Sequence, residues 1–149
     1  MAAESSIPAP VNPLTLKINM AILSYVLGNF MKKYLPTFSR VTTSDIRTAE
    51  HNAQVGGVPN SAHVHGLAED FQLMTGAAKA SEAQAKAAWE QVIKPNWPGW
   101  TEFEASSPGE GYHIHVQLSR EISTYAGIAS LAGLGVLGVV MISNWGKKS

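Results

Sequence analysis

A chain of 149 residues with 45% hydrophobic content supports one folded domain of ordinary size. Its 11 Lys+Arg balance 11 Asp+Glu, which argues against the basic field that a nucleic-acid partner requires and against an acidic tail. With no cysteine, disulfides and thiolate metal sites are excluded, so any metal has to sit on His, Asp or Glu.

In chain order, residues 1–13 read as a small, Pro-rich, flexible lead without the basic and apolar regions of a secretory signal. From Leu14 to Tyr34, apolar residues such as Leu23, Val26, Leu27 and Phe30 recur at three- and four-residue steps, which predicts an amphipathic core helix. Lys17 before its apolar centre and Lys32-Lys33 after it leave too short a stretch for a membrane span. Ser39 to Thr43 is a short strand candidate, followed by a loop through Arg47 and a turn-rich run, Gly56 to Asn60. Ser81 to Lys94 predicts a second helix, capped by Ser81 and stopped by Pro95. Trp100 to Glu104 and Tyr112 to Leu118 are strand candidates joined by the turn Ser106-Ser107-Pro108-Gly109, a plausible hairpin. Thr124 to Ser143 carries no charge and has Tyr125 and Trp145 at its ends, which predicts a C-terminal transmembrane helix. Ala129 and Gly133 on that segment permit close packing and a helix-mediated oligomer.

Four of the five histidines form two tight pairs, His63/His65 and His113/His115, with Asp70 shortly after the first pair. Hydrolytic zinc takes three protein ligands and leaves a position for water, and His63, Asp70 and His115 can supply such a set. On a strand, His113 and His115 share a face, so one can bind metal while the other meets substrate. Gly66 and Ala68 let the backbone turn closely between ligands, and Ser61 is placed to support them by hydrogen bonding.

The run from Ser61 to Asp70 resembles the S-x-H-x-x-G-x-A-x-D signature of the zinc D-Ala-D-Ala carboxypeptidases and their related endopeptidases. Tyr112-His113-Ile114-His115-Val116 is similar to the H-x-H strand of the wider group that includes lysostaphin-type peptidases and the hedgehog signalling domain. Ser44 to Asn52, with Val55-Gly56-Gly57, looks like the arginine-bearing loop before the first ligand. The resemblance covers about Leu14 to Leu118. It implies that His63, Asp70 and His115 bind Zn2+, that Arg47 meets a substrate carboxylate or carbonyl, and that the substrate is a cell-wall stem peptide. Many such enzymes place an acid three residues before the last ligand as general base, where this chain has Tyr112. The candidates for that proton work are His113 and Glu110, with Glu104 on the facing strand a third.

Together these features predict an α+β domain over residues 14–120, its small antiparallel sheet carrying a zinc site against helices, and a transmembrane anchor with a short basic tail over 121–149. The expected activity is zinc-dependent hydrolysis of peptidoglycan stem-peptide bonds, in a phage lysis or virion-associated enzyme held in a lipid membrane. Lys147-Lys148 favours a topology with the catalytic domain facing the wall. Two rivals are a zinc-fold module that binds wall peptide without cutting it, and a structural membrane protein of a virion.

Overall fold

The structure, a computed structural model, describes residues 11–44, 46–58 and 60–119. Helix α1 (Pro13–Tyr34) starts where Asn12 accepts hydrogen bonds from the backbone N–H groups of Leu14 and Thr15, with Pro13 in the first turn, where its missing N–H costs nothing. Lys32 and Lys33 lie in its last turn, favourable for the negative end of the helix. Its inner face buries Ile22, Leu23, Val26, Leu27, Phe30 and Met31.

Strand β1 (Ser39–Ser44), the short helix α2 (Ala49–Gln54), β2 (Ala68–Thr75) and β3 (Ala78–Lys79) follow. A helical run comes next: α3 (Glu82–Ala88), a π-helical turn over Trp89–Ile93 and α4 (Lys94–Asn96). Ser81 caps it reciprocally with Gln84, as the serine at the start of the apolar stripe predicts. Pro95 does not end the helix as expected. The Lys94 N–H reaches back to the Trp89 carbonyl, and this widened turn carries the chain through a residue that has no N–H to donate. Strands β4 (Trp100–Glu104) and β5 (His113–Gln117) then pair as the expected antiparallel hairpin, around a turn in which Gly109 has φ +86°.

The main sheet has the order β1-β2-β5-β4, every pairing antiparallel, with β3 added to the end of β2. Strand alternation divides it into two faces. Phe71, Leu73, Ile114 and Val116 point to the core shared with α1, with Ala85 and Ile93 of the helical run and with Trp97 just after it. A fully buried side chain of the size of Leu27, Phe71 or Ile114 contributes roughly 1.5–3 kcal/mol relative to exposure. Asp70 and Gln72 of β2, with His113, His115 and Gln117 of β5, occupy the other face. At the β1 edge, buried Glu69 is neutralised by Arg40 at 2.8 Å and accepts a hydrogen bond from Thr42 Oγ1 at 2.9 Å.

The membrane helix expected at the C-terminal end requires correction. Among the described residues, the helix long and apolar enough to cross a membrane is α1, at the N-terminal side, and its apolar residues form one wall of the core. Lys17 and Lys32, which argued against such length, lie within this 22-residue helix. Residues 124–143, on which the earlier expectation rested, lie outside the described residues.

Two glycines separate strain from crowding. Gly66 has φ +68°, and a Cβ there would meet Leu16 Cδ1 and Met20 Cγ of α1 at 3.0 Å. Gly76 has φ +61° and nothing within 4 Å. Gly76→Ala should therefore cost about 1–2 kcal/mol for its left-handed backbone alone, and Gly66→Ala about 1–3 kcal/mol more for overpacking. Urea unfolding of the two variants checks this; equal losses would contradict the seating of α1 on the turn at Gly66.

Candidate metal centre

Residues 61–67 fold into consecutive tight turns, in which Val64, His65 and Gly66 donate their N–H groups to the carbonyls of Ser61, Ala62 and His63. These turns bury His63 and bring the chain into β2, where Asp70 is the third residue. From α1, buried Asn19 donates to the His65 carbonyl at 2.8 Å and ties the turn to the core helix. Ser61 supplies backbone hydrogen bonds to this turn, its N–H donating to Val58.

Register does the rest. Asp70 on β2 lies directly beside His115 on β5, and both face away from the apolar core. His115 Nδ1 is 2.7 Å from Asp70 Oδ1, and His63 Nε2 is 3.3 Å from Asp70 Oδ2. One donor atom from each of His63, Asp70 and His115 can be chosen so that all lie within 4.8 Å of one another. Ligands on a single tetrahedral zinc ion, at bond lengths of about 2.0–2.2 Å, stand roughly 3.5 Å apart, so small side-chain rotations close this set around one ion. Two imidazoles and one carboxylate are also the ligand chemistry that zinc accepts without cysteine. The donor set fits the metal.

Burial opposes the charge on Asp70, yet hydrogen bonds from His115 and His63 and the attraction of both rings outweigh it and hold the carboxyl far below the usual carboxylate range. For His115, burial likewise opposes the charged form. The hydrogen bonds to Asp70 and Gln117 and the charges of Asp70 and Glu104 prevail, leaving its pKa above the ordinary 6.5. Both of its ring nitrogens face oxygen acceptors, Nδ1 toward Asp70 and Nε2 toward Gln117 Oε1 at 3.1 Å, which favours a doubly protonated ring.

The expected companions of the ligands lie around them. Arg47 Nη2 is 3.3 Å from Asp70 Oδ2, its Nε donates to Ser44 Oγ at 3.4 Å, and its backbone N–H donates to the His63 carbonyl. His113 shares the face of His115 and pairs through Nε2 with Glu104 Oε2 at 3.2 Å. Glu110 lines the same cleft from the turn before β5. The cleft has a volume of about 1170 Å³ and is lined by the three ligand candidates with Arg47, His113 and Glu104.

Tyr112 occupies the place of the missing acid and cannot substitute for it. Alternation turns it to the opposite face from His115, where it is 5% exposed and donates its hydroxyl to the carbonyls of Ala80 and Leu73. Burial pushes its phenol up from the ordinary range, against the weaker pull of its hydrogen bond to Leu73, and Glu82 adds to the rise. Three residues of the cleft were not foreseen: Gln117 at His115 Nε2, Trp100 with its ring 5.1 Å from that of His115, and Glu102 opposite His115 in the register. Two-residue steps from His115 and from Glu104 identify all three once β4 is known to pair with β5.

A cation that takes a ring nitrogen of His115 displaces a proton, so proton and metal compete. Falling pH protonates His115 from above 6.5 downward, and zinc affinity should weaken through that range. The purified protein should hold about one zinc near pH 8 by elemental analysis. Acidification should release the metal, and His63→Ala/His115→Ala should not bind it. Undiminished zinc in the double variant would contradict the assignment.

A family model described as Peptidase M15 matches residues 11–100. That span includes Arg47, His63 and Asp70 and ends before β5, so the third donor, His115, comes from the strand pairing. No curated protein and no solved structure gave a match. The family is one of zinc-dependent metallopeptidases, a chemistry that the His63-Asp70-His115 cluster can support. With more than half of its length matched, this chain belongs to the Peptidase M15 family.

Proposed function

We propose that this protein hydrolyses amide bonds in the stem peptides of bacterial cell wall, acting on the wall-facing side of the membrane. The observation that carries the reading is the convergence of His63, Asp70 and His115 in one open cleft with Arg47 and the His113–Glu104 pair. Zinc bound there would polarise a carbonyl and make water acidic enough to deliver hydroxide near neutral pH.

The chain's own groups divide the remaining work. Arg47 grips a substrate carboxylate or carbonyl through its planar fork, while its contact with Asp70 Oδ2 keeps that fork beside the ligands. His113 carries the proton. Glu104 accepts a hydrogen bond from Nε2 at 3.2 Å, fixing the ring and leaving Nδ1 as the second proton-bearing atom. Glu104 is half exposed, so the proton has a route to solvent. Glu110, in the turn that opens onto the cleft, is the alternative carrier. An acid three residues before His115 is unnecessary in this arrangement, because the neighbouring strand supplies one on the correct face.

A non-catalytic peptide-binding module is the second reading, favoured by the buried Tyr112 in place of that acid. Purified wall incubated with the zinc-loaded protein, with released termini read by mass spectrometry, separates the two. Cleavage supports the peptidase; peptide binding without cleavage supports the module. In the active protein, His113→Ala and Glu104→Gln should each lower turnover about 10²- to 10⁴-fold with zinc content unchanged. Tyr112→Phe should leave turnover intact and cost about 1 kcal/mol of stability for its lost hydrogen bonds. Full activity in both His113→Ala and Glu104→Gln would move the proton work to Glu110.

A further inference from the structure

Among the described residues, Trp89, Trp97 and Trp100 differ in what their side chains do. Trp89 donates its indole N–H to Thr101 Oγ1 and Trp97 donates to the Gln117 carbonyl, both at 3.0 Å, and Trp97 is buried. Trp100 is 52% exposed, and its indole N–H has no hydrogen-bond partner among the described residues. It lines the cleft, with its ring packed edge-on beside His115. At the lip of the site, such a ring offers an aromatic face to a ligand.

Glu102 is the next residue of β4 on that face, opposite His115 in the register. It is exposed, lines the cleft and has no ion pair or side-chain hydrogen bond among the described residues. Two positions along a strand place the Trp100 and Glu102 side chains about 7 Å apart, a gap that one ammonium group can bridge. The ring attracts a cation to its face, and the carboxylate accepts its N–H groups.

Sheet order gives the pair a direction. Arg47 follows β1, Asp70 is on β2, His115 on β5, and Trp100 and Glu102 on β4, so the cleft runs from a cationic side across the metal ligands to an anionic, aromatic side. Strands about 4.8 Å apart put β4 roughly 10 Å from β2, within reach of a long side chain on the residue next to the bond being cut.

We propose that Trp100 and Glu102 form a subsite for a side-chain ammonium, selecting peptides with a free-amine residue, a diamino acid, beside the scissile bond. This deepens the reading above and rests on it. The test uses the zinc-loaded full chain and two synthetic stem peptides that are identical except that the side-chain amine is free in one and acetylated in the other. Calorimetry should find the free-amine peptide bound about tenfold tighter, the worth of one cation–π contact with a carboxylate. Cleavage should show the same preference in KM, with kcat nearly equal. Glu102→Gln and Trp100→Ala should each shrink the preference while zinc content and circular dichroism are preserved. Equal binding of the two peptides, or a preference that survives both substitutions, would overturn the subsite even if both peptides are cut, leaving the peptidase reading intact. If neither peptide is bound or cut, both the subsite and the stem-peptide reading fall.

Discussion

A carboxylate in the middle strands of a sheet is costly to bury unless other groups supply its hydrogen bonds and balance its charge. Asp70 has a side chain only 6% exposed, and it meets this demand with three partners from three parts of the chain: His63 from a turn, His115 from the neighbouring strand and Arg47 from the loop after β1. Each partner must be delivered to within hydrogen-bonding distance. Much of the local architecture serves that delivery: the tight turns at 61–67, the Asn19 hydrogen bond to them from α1, and the register of β2 with β5. A zinc ion uses the same convergence of donors, so the group that organises the fold locally is also the one that organises the chemistry.

Strand alternation explains why the site has its composition. Along β5 and the residue before it, Tyr112, Ile114 and Val116 face the core while His113, His115 and Gln117 face the cleft. A residue an odd number of positions from His115 therefore points away from the metal, which disqualifies Tyr112 as a base. The facing strand repeats the pattern, with Trp100, Glu102 and Glu104 toward the cleft and Phe103 packed against the core. Glu104 reaches His113 because the two are partners in the ladder.

Several of these features were legible in the amino-acid sequence because their causes are local. Ser81 announces a helix start, Ser107-Pro108-Gly109 announces a turn, and paired histidines beside an aspartate announce a metal. Strand β2 was not, since Glu69, Asp70 and Gln72 interrupt the apolar pattern and are buried only by virtue of distant partners: Arg40, the histidines and the Tyr112 carbonyl. Helix α2 has six residues, buries only Asn52 and has no apolar stripe to read. The membrane-length helix was sought at the wrong end: composition favoured residues 124–143, whereas the described helix of that length and apolarity is α1, with one face in the core. The pairing of Trp100 and Glu102 with His115 depended on strand register, which single-strand patterns do not encode.

The central claim is that His63, Asp70 and His115 together hold one zinc ion. X-ray absorption at the zinc edge of the loaded full-length protein tests it most directly, since it reads the ligand shell rather than its consequences. The account predicts two imidazole nitrogens and carboxylate oxygen at about 2.0–2.2 Å, with the imidazole scattering reduced in His115→Ala. A shell of oxygen ligands alone, or imidazole scattering unchanged in that variant, would contradict it.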